Sequence, residues 1–142
     1  MKKLFGVVAM VFLFAGVSFA ENWVHYDVSG MRDEKKTYDF YYDNDSIVKT
    51  GNGTILMRSK YVYTDWGREV RAKDDPEFPA NCSYSINLRE FDCVAKKYRN
   101  CRRQYFDSKN VMLDERITSD SEWEEIAEGK MNFTFWKIAC GK

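Results

Sequence analysis

The sequence predicts an α+β domain, an antiparallel β-sheet meander with a C-terminal α-helix packed on it. Three observations carry that expectation. Aromatic and apolar residues alternate with polar ones in successive segments, clusters of turn-forming residues separate those segments, and the last stretch changes to helical spacing. No internal repeat or low-complexity run appears.

The opening MKKLFGVVAMVFLFAGVSFA places Lys2 and Lys3 before an apolar run that closes on Ser18 and Ala20, the layout of a cleavable export signal. The run from Leu4 to Val17 is shorter than the roughly 20 residues a bilayer span needs. Residues 1–20 are therefore expected to be removed, leaving residues 21–142 as one domain bound for the periplasm or the outer cell surface. With Lys2 and Lys3 gone, 20 basic residues face 22 acidic ones, so the mature chain is close to neutral. Bulk attraction to nucleic acid is not expected of such a balance.

In TYDFYY, residues 37–42, Tyr38, Phe40 and Tyr42 share one face of an extended segment. The following DNDS resembles the start of a calcium loop, but Ile47 and Val48 stand where that loop needs a further ligand and a glycine. A turn in which Asx and Ser side chains satisfy nearby backbone groups is the better reading. Asn52-Gly53 then predicts a two-residue hairpin turn. In the strand after it, Ile55, Met57, Ser59, Tyr61 and Tyr63 share a face.

Residues 64–82 hold both prolines, Pro76 and Pro79, with an Asp-Asp-Pro turn signal, and read as a long exposed connection. In the next strand Tyr84, Ile86 and Leu88 share a face while Phe91 and Cys93 take the opposite parity, which predicts a bulge or twist near Arg89 and Glu90. YRNCRRQYF and VMLDERI follow as strands joined at DSKN, with Val111, Leu113 and Ile117 alternating with polar residues. The terminal helix is expected from Ser119 or Ser121 as cap, with Phe133, Trp136 and Cys140 at helical spacing.

The four cysteines, Cys82, Cys93, Cys101 and Cys140, follow an export signal and fit no zinc, redox or haem spacing, so disulfides are expected. Three pairings are open. The run KKYRNCRRQY interleaves Lys96, Lys97, Arg99, Arg102 and Arg103 with Tyr98 and Tyr105. It reads as a binding surface for an anionic polymer or, the preferred reading, as a solvated strand whose long side chains cover apolar neighbours. Tyr38, Tyr41, Tyr42, Tyr61 and Tyr63 gather on two strands expected to be adjacent, in a chain that is 16% aromatic. The less buried of them suit a partner or self-association surface.

His25 is the only histidine, and Asp27 would share its strand face. A hydrolase built on that pair lacks a G-x-S-x-G elbow or a reactive cysteine context, so a structural histidine and no enzyme activity are expected. No cofactor or metal is expected either.

Tyr42, Asp43, Ser46 and Ile47, then Gly51 and Asn52, then a strand reaching Tyr61 and Tyr63, resemble the hairpin of the surface-adhesin protein E family. Phe91-Asp92-Cys93, Tyr98, Arg99, Tyr105, Trp123, Ile126 and Cys140 continue the likeness from Trp23 to Cys140. The resemblance implies a sheet with its C-terminal helix tied by a disulfide between Cys93 and Cys140. With it goes a second pair, Cys82 and Cys101, which the minimal family pattern lacks. It also implies noncovalent binding of an extracellular or envelope protein, as in an adhesin of host matrix and plasma glycoproteins, and a homodimer. An envelope structural or assembly factor is the alternative role, and a small hydrolase using His25 a more distant one.

Overall fold

The computed structural model describes residues 21–118 and 121–141, without the side chains of residues 27–29. The expected leader, the cap Ser119 and the Asp27 side chain lie outside the described residues. The strands are β1 (Trp23–Arg32), β2 (Lys35–Asp43), β3 (Val48–Lys49), β4 (Ile55–Tyr63), β5 (Tyr84–Asp92), β6 (Lys97–Phe106), β7 (Met112–Ile117) and β8 (Glu124–Glu125). Two helices, α1 (Asp65–Asp74) and α2 (Met131–Cys140), accompany them. The sheet runs β1-β2-β4-β5-β6-β7, every pair antiparallel, with β3 added to β4 and β8 to β6. This is the expected meander, and no described helix is long and apolar enough to cross a membrane.

The DNDS segment is architecture. Asn44–Ser46 form one 3-10 turn, in which the Asp43 carboxylate accepts from the backbone NH groups of Asn22 and Asp45. Ser46 Oγ donates to the Asp43 carbonyl at 2.7 Å and accepts from Arg58 N at 2.8 Å, so one hydroxyl pins the turn to β4. The hairpin after it is longer than the Asn-Gly signal predicts. Thr50 and Thr54 close a three-residue loop, with Gly53 N donating to the Thr50 carbonyl. Gly53 alone there adopts the left-handed region, at φ 82°, so the loop is a turn followed by a glycine bulge.

Two apolar clusters cover opposite ends of one sheet face. In the first, Phe135 and Ala139 of α2 pack on Phe40, Ile55, Met57 and Phe91, with Phe135 stacked on Phe40 at 4.3 Å between centroids. In the second, Phe78 and Cys82 from the connection after α1 meet Tyr63 and Tyr105. The connection read as exposed therefore contains α1 and a buried anchor. Thr64 caps α1, its Oγ accepting from Gly67 N at 3.0 Å, while its own backbone NH donates to the Thr37 carbonyl. Gly67 presses directly on that carbonyl, and a Cβ there would run into it.

Helix α2 begins later than the Ser119 or Ser121 cap implied. Gly129, at φ 78°, turns the chain into Lys130 and Met131, while Ser121 Oγ instead donates to the Asn100 carbonyl. Its buried residues are Phe135 and Ala139, whereas Phe133 and Trp136 stack on each other at the rim. The bulge lies beside Arg89, as expected, but the extra residue is on the partner strand. It falls between the Leu88–Arg102 and Arg89–Asn100 pairs, so the extra residue is Cys101 of β6, and β5 keeps one parity throughout.

Cys93 and Cys140 are bonded, joining the end of β5 to the end of α2 across a sequence separation of 47. Cys82 and Cys101 are both free thiols, which corrects the second expected pair. The Cys82 thiol is buried beside the Tyr84 carbonyl, at the Phe106 end of β6, and Cys101 lies five positions further back along that strand. At about 3.3 Å per residue that is about 16 Å, well beyond the roughly 7 Å Cα separation a disulfide tolerates.

Denatured, unreduced protein is expected to release two thiols per chain in a colorimetric thiol titration, and none or four would contradict this pairing. Replacing Cys93 and Cys140 by Ala should cost about 4 kcal/mol in urea unfolding, the entropy of closing a loop of that length. Gly67→Ala should lower stability by about 1–3 kcal/mol by the same measurement, as expected where a side chain is forced onto a packed carbonyl.

Candidate functional site

The basic run of β6 does not form one patch. The Cys101 bulge switches the alternation, so Lys97, Arg99 and Arg102 lie on the outer face opposite Asp92, Glu90 and Leu88, while Arg103 and Tyr105 fall on the inner face. Lys96 lies at the hairpin turn, 5.1 Å from the Trp136 ring, and Lys97 pairs with Glu125 of β8. Arg99 donates to Glu90 at 2.8 Å and covers Trp123 at 4.6 Å. Tyr98 packs on the α2 cluster, Arg102 is exposed, Arg103 turns inward, and Tyr105 is fully buried. Tyr105 and Arg103 therefore share no outer surface with Lys96 and Arg102.

The inward turn of Arg103 exposes what sequence reasoning missed. On β5 it is Ser85, Asn87 and Arg89 that face inward, 0%, 2% and 6% exposed, while Tyr84, Ile86 and Leu88 face outward and are only half-buried. A groove of about 200 Å³ lies over them, lined by Tyr38, Tyr61, Tyr63, Arg71, Asn87 and Arg103. It falls between the two apolar clusters, both of which touch Tyr38 and Tyr61.

Hydrogen bonds fix its walls. Arg103 Nε donates to Asn87 Oδ1 at 2.6 Å, Arg89 donates to Ser59 Oγ at 2.9 Å and to the Tyr61 hydroxyl at 3.0 Å, and Tyr63 shares a bond with Ser85 Oγ. Arg89 is further held over the Phe135 ring at 4.9 Å. Arg71 descends from α1, its guanidinium 5.8 Å from the Phe78 ring. Three buried nitrogens at or beside the groove have no hydrogen-bond partner among the described residues: Arg71 Nε, Asn87 Nδ2 and Arg89 Nε. Burial pushes the phenols of Tyr38 and Tyr63 up to about 12, so both stay protonated near neutrality.

The one spacing signal for this groove was the shared parity of Ser85, Asn87, Arg89 and Phe91. An apolar-inside assumption discards it. His25 sits elsewhere, on the other side of β2, with its ring 5.0 Å from Tyr41 and its Nε2 3.7 Å from Asp39.

The far edge of the sheet is the other distinctive surface. β7 pairs only with β6, and Val111, Met112, Leu113 and Ile117 are 38% to 62% exposed along it. Its polar residues turn back to the domain instead. Glu115 accepts from Gln104, and Arg116 bonds Asp75 and the Glu77 carbonyl, which holds the Asp75 carboxyl below its usual range.

Against this geometry, the family model described as surface-adhesin protein E matches residues 23–141, from the start of β1 to the end of α2. The chain belongs to the surface-adhesin protein E family. The match spans every described strand and both helices, so the groove and the β7 edge are parts of the adhesin E domain itself. Membership gives the chain an adhesin-like role as an exported or surface protein. Neither the curated proteins nor the solved structures give a match.

For this adhesin E domain the two raised phenols set an alkaline limit. Their folded-state values exceed the ordinary 10, so folding favours the neutral form. Their contribution to stability is complete below pH 10 and falls as pH rises from 10 toward 12. Ultraviolet titration of the native chain should show at least two tyrosines ionising late, and Tyr63→Phe should remove one of them.

Proposed function

We propose that this protein is an exported binding module that recognises an extracellular or envelope protein noncovalently, with no bond made or broken, and that it does so through the β7 edge. The observation that carries the reading is that edge. A sheet edge offers unpaired backbone groups, and proteins usually blunt it with lysine, proline or a covering element. β7, Met112–Ile117, has no lysine or proline, and its outward residues are apolar. Such a strand suits pairing with an extended segment of another chain, in which main-chain bonds supply affinity and alternate side chains supply specificity. Family membership supports the adhesin-like direction, and the expected export signal supports a periplasmic or outer-surface setting.

A second copy of the chain is a partner of the same chemistry, since one β7 could pair with another across a twofold axis. The basic residues Lys96, Lys97 and Arg102 remain a secondary contact in this reading, and Tyr105 and Arg103 are left out of it because they point inward.

Val111→Lys combined with Ile117→Lys should weaken capture of purified matrix glycoproteins or of an envelope extract about tenfold or more. Unfolding should change by no more than about 0.5 kcal/mol per site, since both residues are surface positions. Unchanged capture by that variant, alongside loss of capture on changing Lys96, Lys97 and Arg102 to Ser, would move the interface to the basic residues and refute the β7 reading. Copurification of a single bacterial envelope protein and no matrix protein would favour the assembly-factor role.

A further inference from the structure

We infer that the groove between α1 and α2 is a binding site for a small oxyanion, received by Arg71 and Arg103 with the phenols of Tyr38, Tyr61 and Tyr63 around it. The inference rests on the groove alone and is independent of the β7 reading.

Charge balance is the first ground. Other arginines that contact the sheet have acids: Arg99 has Glu90 at 2.8 Å, Arg116 has Asp75 at 2.9 Å, and Arg58 has Glu21 at 3.0 Å. Among the described residues no carboxylate forms an ion pair with Arg71, Arg89 or Arg103. Asp75 lies within electrostatic reach of Arg71 but spends its hydrogen bonds on Arg116 and Glu77 N. Two like charges thus line the groove and a third, on Arg89, lies beside it, with no ion pair to a carboxylate of the described chain, an arrangement that raises the local potential and attracts an anion.

Hydrogen-bond capacity is the second ground. A guanidinium carries only donors, and the unpartnered buried nitrogens Arg71 Nε and Asn87 Nδ2 belong to residues that line the groove, with Arg89 Nε beside it. The missing component is an acceptor with negative charge, which a carboxylate, sulfate or phosphate group supplies. A cation or an apolar group would satisfy none of these atoms. The volume, about 200 Å³, is below that of a typical drug-sized pocket and suits such a group rather than a large ligand. The oxyanion could be a free small acid or a carboxylate carried on a bound protein, and the chemistry recognised is the same.

The test uses the full, disulfide-intact chain in thermal melting with inorganic sulfate, inorganic phosphate, acetate or a short Glu-containing peptide. Each is compared with chloride at equal ionic strength and kept at millimolar levels, below those at which sulfate stabilises proteins generally by exclusion. The expected result is a saturable rise of about 3 °C or more at tenfold over half-saturation, abolished in Arg71→Gln combined with Arg103→Gln. Saturation by an inorganic anion or acetate identifies a free ligand, and a response confined to the peptide identifies a carboxylate on a partner. Should the double variant fold poorly, the wild-type chain titrated by nuclear magnetic resonance supplies the same decision. The Arg71 and Arg89 Nε–H and Asn87 side-chain amide signals should then shift together and saturate. No response beyond chloride, an equal response in the folded double variant, or shifts confined to surface lysines would overturn the proposal.

Discussion

The stacking of Phe135 on Phe40 fixes where everything else on the inner face of the sheet can go. That contact seats α2 over the Ile55, Met57 and Phe91 end, and the disulfide from Cys93 holds the helix terminus there. A ten-residue helix spans only about 15 Å, so it cannot reach the opposite end of the strands. That end is left to Phe78 and Cys82. Between the two coverings the chain provides polar side chains instead of apolar ones, and they organise a groove rather than a core.

Where order is local, the sequence was readable. Alternation within β2 and β4, the turn residues between segments and the short connections give the meander and its neighbours directly, because successive strands pair with one another. The Asp43–Ser46 turn was readable for the same reason, its bonds being closed within a few residues apart from the ties to β4 and to Asn22. The first disulfide followed from resemblance and the second pair did not, since nothing in the spacing of Cys82 and Cys101 reports that they lie along the same strand direction at separated positions.

What escaped depends on long-range contact. Helix α1 buries only Gly67 and Val70, so its periodic signal is faint, and its cap is recognisable only once Thr64 is seen against Thr37. The inward face of β5 was not legible because Ile86 and Leu88 have core-like side chains while Asn87 and Arg89 do not. Hydrogen bonds and aromatic faces make those polar residues tolerable inside, and the partners come from β4, β6 and α2. The groove needs Arg71, Asn87 and Arg103 from three separate elements, a meeting no spacing rule encodes. The terminal helix was foreseen, but Gly129 rather than a serine cap decides its start.

The crosslink between Cys93 and Cys140 also has a mechanical meaning. It encloses β6, β7, β8 and nearly all of α2 in a covalent ring of chain. A tether pulling on segments outside the ring can draw out β1 to β5, but the 47-residue span within it is shielded, which withholds roughly 160 Å of extension. A grip placed on β7 loads the ring from inside, and the shorter arm, from Cys93 to Met112, then limits the stretch to roughly 65 Å.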